Sequence, residues 1–169
     1  MINKNVINEG MRMYGGYIFQ AIDIDTGEVV AEWSKKNLLM KINRDYRQAM
    51  IDGSYGTKGY AIEDLEIKYI ALGTGTTAAT ENDTQLETET FRKQFTSINT
   101  SGDNTTTVLS LGPAEANFTI KEIGVFCGPA AAITPNSGNM ISRVNVDFEK
   151  TANIRFNIIR VDGTVLTSS

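Results

Sequence analysis

The chain has 169 residues, of which 41% are hydrophobic and 21% charged, with a formal net charge of -4; this is the profile of a single globular domain and excludes a protein that binds nucleic acid mainly through positive charge. It contains no histidine and one cysteine, which excludes Ser-His-Asp or Cys-His catalysis, histidine-based zinc sites and an intrachain disulfide within one chain. No run approaches the roughly 20 apolar residues that span a bilayer, and the opening Met1-Ile2-Asn3-Lys4-Asn5 leads into polar residues, so neither a membrane anchor nor a secretion signal is expected.

In chain order, residues 1–14 read as an N-terminal arm available for assembly, 15–165 as one β-sandwich domain and 166–169 as a flexible tail. The stretch "YIFQAIDIDTGEVVAEW" (17–33) places two apolar-rich runs around Asp25-Thr26-Gly27-Glu28, which predicts a β-hairpin. Leu38, Ile42, Tyr46 and Met50 then recur every four residues, so an amphipathic helix of about four turns is expected over 37–52, with Ser34 at its start, Gly53 at its end and a sheet beneath it. "DGSYGTKGY" (52–60) carries three glycines without periodicity and reads as a loop.

In "DLEIKYIALG", Leu65, Ile67, Tyr69 and Ala71 share one face while Ile70 and Leu72 make the other apolar, which describes a strand buried on both sides at its end. Thr84-x-x-Glu87 has capping-box spacing, and a short helix is expected over about 84–91. Glu81, Asp83, Glu87 and Glu89 then read as acids biased toward that helix's N-terminus, and Arg92 and Lys93 as a solvated strand face.

The second half reads as β-strands at 104–111, 117–126, 140–149 and 153–161, separated by Gly, Pro, Asn and Ser. In the 117–126 strand the apolar phase runs Phe118, Ile120 and restarts at Ile123, Val125; one slip near Lys121-Glu122 predicts a β-bulge. The fold class expected is mainly β, α+β by count: an antiparallel sandwich with two small helices.

The segment "GTGTTAAT" is no phosphate cradle: it lacks the lysine and the second glycine of a P-loop, and Ala78 stands where a dinucleotide fingerprint needs its third glycine. Gly73 and Gly75 are instead expected to let the chain leave a buried strand in a conformation closed to side chains with a Cβ. No spacing among the acids marks a metal site, no carboxylate pair is singled out for catalysis, and no cofactor is expected. Cys127 reads as a buried core thiol, made in a reducing compartment.

"NLLMKINRDYRQAM", then "IKYIALGTGTTAATENDTQLETETFRKQF", then "FTIKEIGVFCG" together resemble a family of small tailed-phage virion proteins of the tail, tail-fibre or baseplate type. The residues that carry the resemblance are Asn37 and Leu38, Tyr69 through Thr77 (with Gly73, Gly75 and Thr77), Asp83, Thr84, Leu86 and Glu87, and Ile120, Glu122, Ile123, Gly124 and Phe126. The resemblance implies a non-enzymatic structural role as a fibre base, collar or adaptor, a homotrimer among other virion proteins, and a place in the virion after synthesis in the host cytoplasm, with no nucleic-acid or membrane partner. A head-decoration or head-fibre role uses the same scaffold and stays open, as does a carbohydrate-binding module, for which Trp33, Tyr55 and Tyr60 are the aromatics to nominate.

On the residues themselves, Glu122 at the bulge is expected to turn inward and accept backbone hydrogen bonds from the turn at 73–77. Candidate interface residues are Val6, Ile7, Met11 and Met13 in an arm that crosses to a neighbour, Tyr55 and Tyr60 in the first loop, and Ile133 in "GPAAAITPNSGNM" (128–140), a segment longer and richer in Ala and Pro than the family leads one to expect.

Overall fold

The structure is a computed structural model that describes residues 10–167. Among the described residues ten strands, β1 (Gly10–Asp23), β2 (Val29–Lys36), β3 (Leu38–Leu39), β4 (Ile67–Gly73), β5 (Glu89–Gln94), β6 (Ser97–Ser101), β7 (Asn104–Leu111), β8 (Thr119–Cys127), β9 (Asn139–Glu149) and β10 (Ile154–Thr167), accompany one α-helix, α1 (Lys41–Ile51), and a 3-10 turn at Ile62–Leu65. They form two antiparallel five-stranded sheets in a sandwich, one ordered β2-β1-β10-β7-β6 and the other β3-β9-β8-β4-β5. The mainly β sandwich expected from the sequence is the fold of the chain.

The hairpin forms where the sequence places it. Asp23 ends β1 and its Oδ1 accepts the amides of Asp25 (3.0 Å) and Thr26 (2.9 Å), a local side-chain turn. Gly27 follows at φ +74, the left-handed conformation that glycine adopts without steric cost.

Alternation fills the space between the sheets. Tyr17, Phe19 and Ala21 of β1, Leu109 and Leu111 of β7, and Phe156 and Ile158 of β10 meet Ile70, Leu72, Ile120, Ile123, Val125, Val144 and Val146 of the other sheet. Trp33 packs into this layer from β2, its ring 5.2 Å from Phe19 and 5.1 Å from Phe148 between centroids, so it does not stand out as a sugar-stacking platform. Strand β4 passes from half-buried to buried along its length, as its two apolar faces predict. The outer face of its sheet carries a second small core of Met40, Ala71, Leu86, Phe126 and Met140.

Three expectations are corrected. The helix begins at Lys41 and spans 11 residues, not 37–52, because Leu38 and Leu39 pair with Arg143 and Ser142 of β9 and the amide of Met40 donates to the Ile141 carbonyl (3.1 Å). Ser34, expected as its cap, lies in β2 opposite Ile18. The helix expected at 84–91 is absent: residues 84–88 are irregular and Glu89 opens β5. Its capping-box acid, Glu87, instead accepts the amide of Thr77 (2.8 Å), ten residues away.

The paired chain also reaches into the stretches read as arm and tail, since Gly10 of β1 pairs with Thr167 of β10. Val6 and Ile7 lie outside the described residues, as do the side chains of Met11 and Met13, whose backbone belongs to β1. The predicted bulge appears as a register shift in the β8–β9 pairing between Ile120 and Glu122. Ile120 and Ile123 therefore both enter the core, Lys121 reaches Asp147 at 2.5 Å, and Glu122 is left under the outer loop.

Candidate functional site

The motif residues converge on one carboxylate. Glu122 is fully buried; its Oε1 accepts the amides of Gly75 (3.1 Å) and Thr88 (2.7 Å), and its Oε2 accepts the amide of Glu87 (3.0 Å). Arg143 of β9, also buried, donates from Nε to Oε2 at 3.0 Å and lies 2.8 Å from it through Nη2. A buried ion costs several kcal/mol in lost hydration unless it is paired and hydrogen-bonded. Here three main-chain amides and a guanidinium fill the lone pairs, so the site is a lock on the loop at 74–88.

The lock extends through Arg143. Its Nη1 pairs with Asp83 and its Nη2 donates to the Thr77 carbonyl at 3.0 Å. Asn145, two residues along β9, donates to the same carbonyl (3.0 Å) and accepts the amide of Ala79 (2.8 Å). Leu86 enters the outer core beneath the loop and approaches Gly124, where a Cβ would stand 2.9 Å from its Cδ2.

Gly73 and Gly75 serve this site by absence of bulk, not by unusual φ. Neither has the left-handed backbone expected of it; a Cβ on Gly73 would lie 2.5 Å from Glu122 Oε1, and one on Gly75 equally close to Oε1 and to the Glu87 Cβ. The glycines are needed because the carboxylate comes up against the main chain.

A second buried arginine fixes the Ala/Pro-rich segment. Arg92 of β5, read from the sequence as solvated, is buried and donates to Glu89 from Nε (2.7 Å) and Nη2 (2.9 Å). Its Nη1 donates to the carbonyls of Ala132 (3.1 Å) and Ser137 (2.8 Å), and its guanidinium lies 4.0 Å from the centre of the Phe126 ring, a cation–π contact. Glu89 also accepts the amide of Asn136 (2.9 Å). The acids read as a helix-terminal bias are thus divided among separate partners: Glu81 with Arg44, Asp83 with Arg143, Glu87 with Thr77 and Glu89 with Arg92.

Beside this anchor, where β5 crosses to β6, lies an open groove of about 730 Å³ lined by Tyr69, Phe91, Phe95 and Ile133 with the cations Arg92 and Lys93. Lys93 is paired with Glu115 at 2.7 Å. Ile133 and Tyr55, two of the candidate interface residues, are exposed, whereas Tyr60 packs edge-on against Tyr46 of α1 with ring centres 4.2 Å apart. Cys127 is buried, donates to the Asn139 carbonyl (3.3 Å), and its thiol is pushed up to about 12, chiefly by burial. A thiol so placed is not a nucleophile.

Arg143, Arg92 and Asn145 escape the sequence reading because cations and amides on alternating strands describe a wet face equally well. The one available signal is that Arg143 and Asn145 lie on the strand facing the bulge that holds Glu122. No protein-family model, curated protein or solved structure matches this chain.

Asp83 gives the lock a pH dependence. Burial pushes its carboxyl upward, but the hydroxyl and amide of Thr80 and the guanidinium of Arg143 together outweigh that and hold it below its usual value. A folded pKa below the unfolded one, about 3.9, contributes stability that is present above pH 4 and is lost as pH falls through the depressed value. Asp83→Asn is expected to cost about 1–2 kcal/mol at pH 7, and the gap from wild type in urea midpoints is expected to close toward pH 2.5. A gap of unchanged size at low pH would place the loss in shape rather than charge.

Proposed function

We propose that the protein is a structural component of a tailed-phage virion that attaches as a symmetric oligomer, a homotrimer in the simplest form, at the tail, baseplate or collar as a fibre base or adaptor. The observation that carries this reading is the use made of the motif residues. Gly73, Gly75, Thr77, Asp83, Glu87, Glu122 and Gly124 meet around one loop, and Glu122 is committed to main-chain amides and Arg143. A buried carboxylate engaged in this way fixes the backbone of the loop above it, the work of a scaffold.

The two loops named as assembly elements support the same reading from outside the lock. The segment at 128–138 is pinned by Arg92 yet presents Ile133 to solvent, and the loop after α1 presents Tyr55. A fixed backbone with an exposed apolar side chain suits repeated attachment, because little ordering entropy is lost per copy and symmetry multiplies a modest affinity.

Immunogold labelling of intact particles with antibody against the recombinant chain tests the assignment. Gold at the tail or its tip is the expected result. Gold over the head would replace it with the capsid-decoration reading, and unlabelled particles that lack the chain altogether would remove the virion role.

A further inference from the structure

The residue that follows β9 is a buried titratable group that the loop lock does not use. Lys150 is 1% exposed, yet among the described residues its ammonium has neutral partners only: Nζ donates to Asn117 Oδ1 at 3.0 Å and to the Thr151 carbonyl at 3.2 Å. Burial pulls its pKa below the usual lysine range, against the opposing charge of Glu115. A buried charge with no counter-ion in contact is among the costliest features a fold can carry. Arg92 and Arg143, by contrast, each meet a carboxylate directly.

The fold holds that amine against one side-chain amide. The last rung between β8 and β9 pairs Thr119 with Glu149, and the Lys150 amide extends it by donating to the Phe118 carbonyl (3.2 Å). Asn117 is the next residue along. Ala116, at φ +51, is one of two non-glycine residues with left-handed backbone among the described residues, and it turns the chain immediately before Asn117. Asn117 Nδ2 donates to the Pro113 carbonyl at 2.8 Å, so both ends of the amide are fixed, its oxygen toward Lys150 and its nitrogen toward the loop.

We propose that Lys150 and Asn117 are a self-modification site at which the folded chain forms an intramolecular isopeptide bond. Lys150 Nζ, as the free amine, adds to Asn117 Cγ, one bond beyond the oxygen it already touches; the Cγ–Nζ bond forms, the Cγ–Nδ2 bond breaks and Nδ2 leaves as ammonia. The proton that the ammonium gives up goes to the leaving nitrogen, so an ammonium and an amide become a secondary amide and an ammonium ion, with no oxidant or co-reactant. Glu115, whose charge acts on Lys150 from the same loop, is the carboxylate that relays this proton. Held in contact by the sandwich, the two groups react as parts of one molecule, which removes the entropy cost of bringing them together. The product is also the better buried group: it carries no charge, and its one N–H keeps the Thr151 carbonyl as acceptor. Asn117 is exposed, so the ammonia escapes to solvent and the step does not reverse.

Mass spectrometry of the purified full chain under denaturing conditions tests the site. The expected result is an intact mass lower than that of the sequence by one ammonia, and a digest containing a branched peptide in which Lys150 is joined to Asn117. Asn117→Ala and Lys150→Met are each expected to restore the full mass of their sequences and to abolish the branched peptide. If Lys150→Met does not fold, Asn117→Ala, a change at an exposed side chain, still decides together with the peptide map. A wild-type chain that keeps its full mass after prolonged incubation in the folded state at neutral pH overturns the proposal. Loss of ammonia without a branched peptide, the mark of a succinimide at an asparagine, overturns it equally.

Discussion

Glu122→Ala is expected to destabilise the protein by about 3–5 kcal/mol, the range seen when one partner of a buried ion pair is removed. Two losses combine. The amides of Gly75, Glu87 and Thr88 lose their acceptor, and Arg143 remains buried with Asp83 and the Thr77 carbonyl as its remaining partners. Glu122→Gln separates these terms, because the amide keeps the shape of the carboxylate but offers one oxygen in place of two and turns hydrogens toward a site made of donors. A cost of at least about 2 kcal/mol is expected for it, read as a fall in the urea midpoint at several pH values between about 4 and 8, with new protease cleavage between residues 76 and 85. If Glu122→Gln matched wild type throughout that pH range, the carboxylate would have no part in holding the loop.

What the sequence made legible follows from the range of the forces involved. The hairpin at Asp25-Thr26-Gly27 and strand β7 are set by local turn chemistry and by alternation, and both fall where they were read. The slip from Ile120 to Ile123 located the bulge, and an acid at a bulge within an apolar strand pointed inward to Glu122. The helix read at 84–91 failed for an equally physical reason. Capping-box spacing is a local signal, but the amide of Glu87 is taken by Glu122, 35 residues away, and its carboxylate by Thr77.

The start of α1 shows the same competition. Leu38 belongs to a periodic apolar series, yet two residues of pairing with β9 are enough to keep 38–39 extended and delay the helix to Lys41. Arg92 and Arg143 were hidden because a strand's two-residue period tells inward from outward only when one side is apolar. In this fold the outer face of the β8 sheet is itself covered, by Leu86 and its loop, so its polar residues are buried anchors.

Gly73→Ala is expected to cost about 3 kcal/mol or more, although the residue has no left-handed φ to defend. Its added methyl would collide with the Thr88 carbonyl oxygen and stand 2.5 Å from Glu122 Oε1 and 2.9 Å from Glu122 Cγ. Overpacking alone costs typically 1–3 kcal/mol; here the relief of the clash also draws the carboxylate away from Gly75 and Thr88, which unmakes part of the lock. The Thr88 carbonyl cannot retreat freely, since it accepts the amide of Thr74 at 3.0 Å. Gly27→Ala provides the contrast: it has open space but φ +74, and is expected to cost only about 1–2 kcal/mol of backbone strain. Because the Gly73 clash acts partly through Glu122, the two substitutions must be non-additive. In chemical denaturation, Gly73→Ala in a Glu122→Ala background is expected to cost at least about 1 kcal/mol less than in wild type, with the remainder due to Thr88. Full additivity would mean that the methyl is resisted by the Thr88 carbonyl alone and that the glycine does not serve the carboxylate.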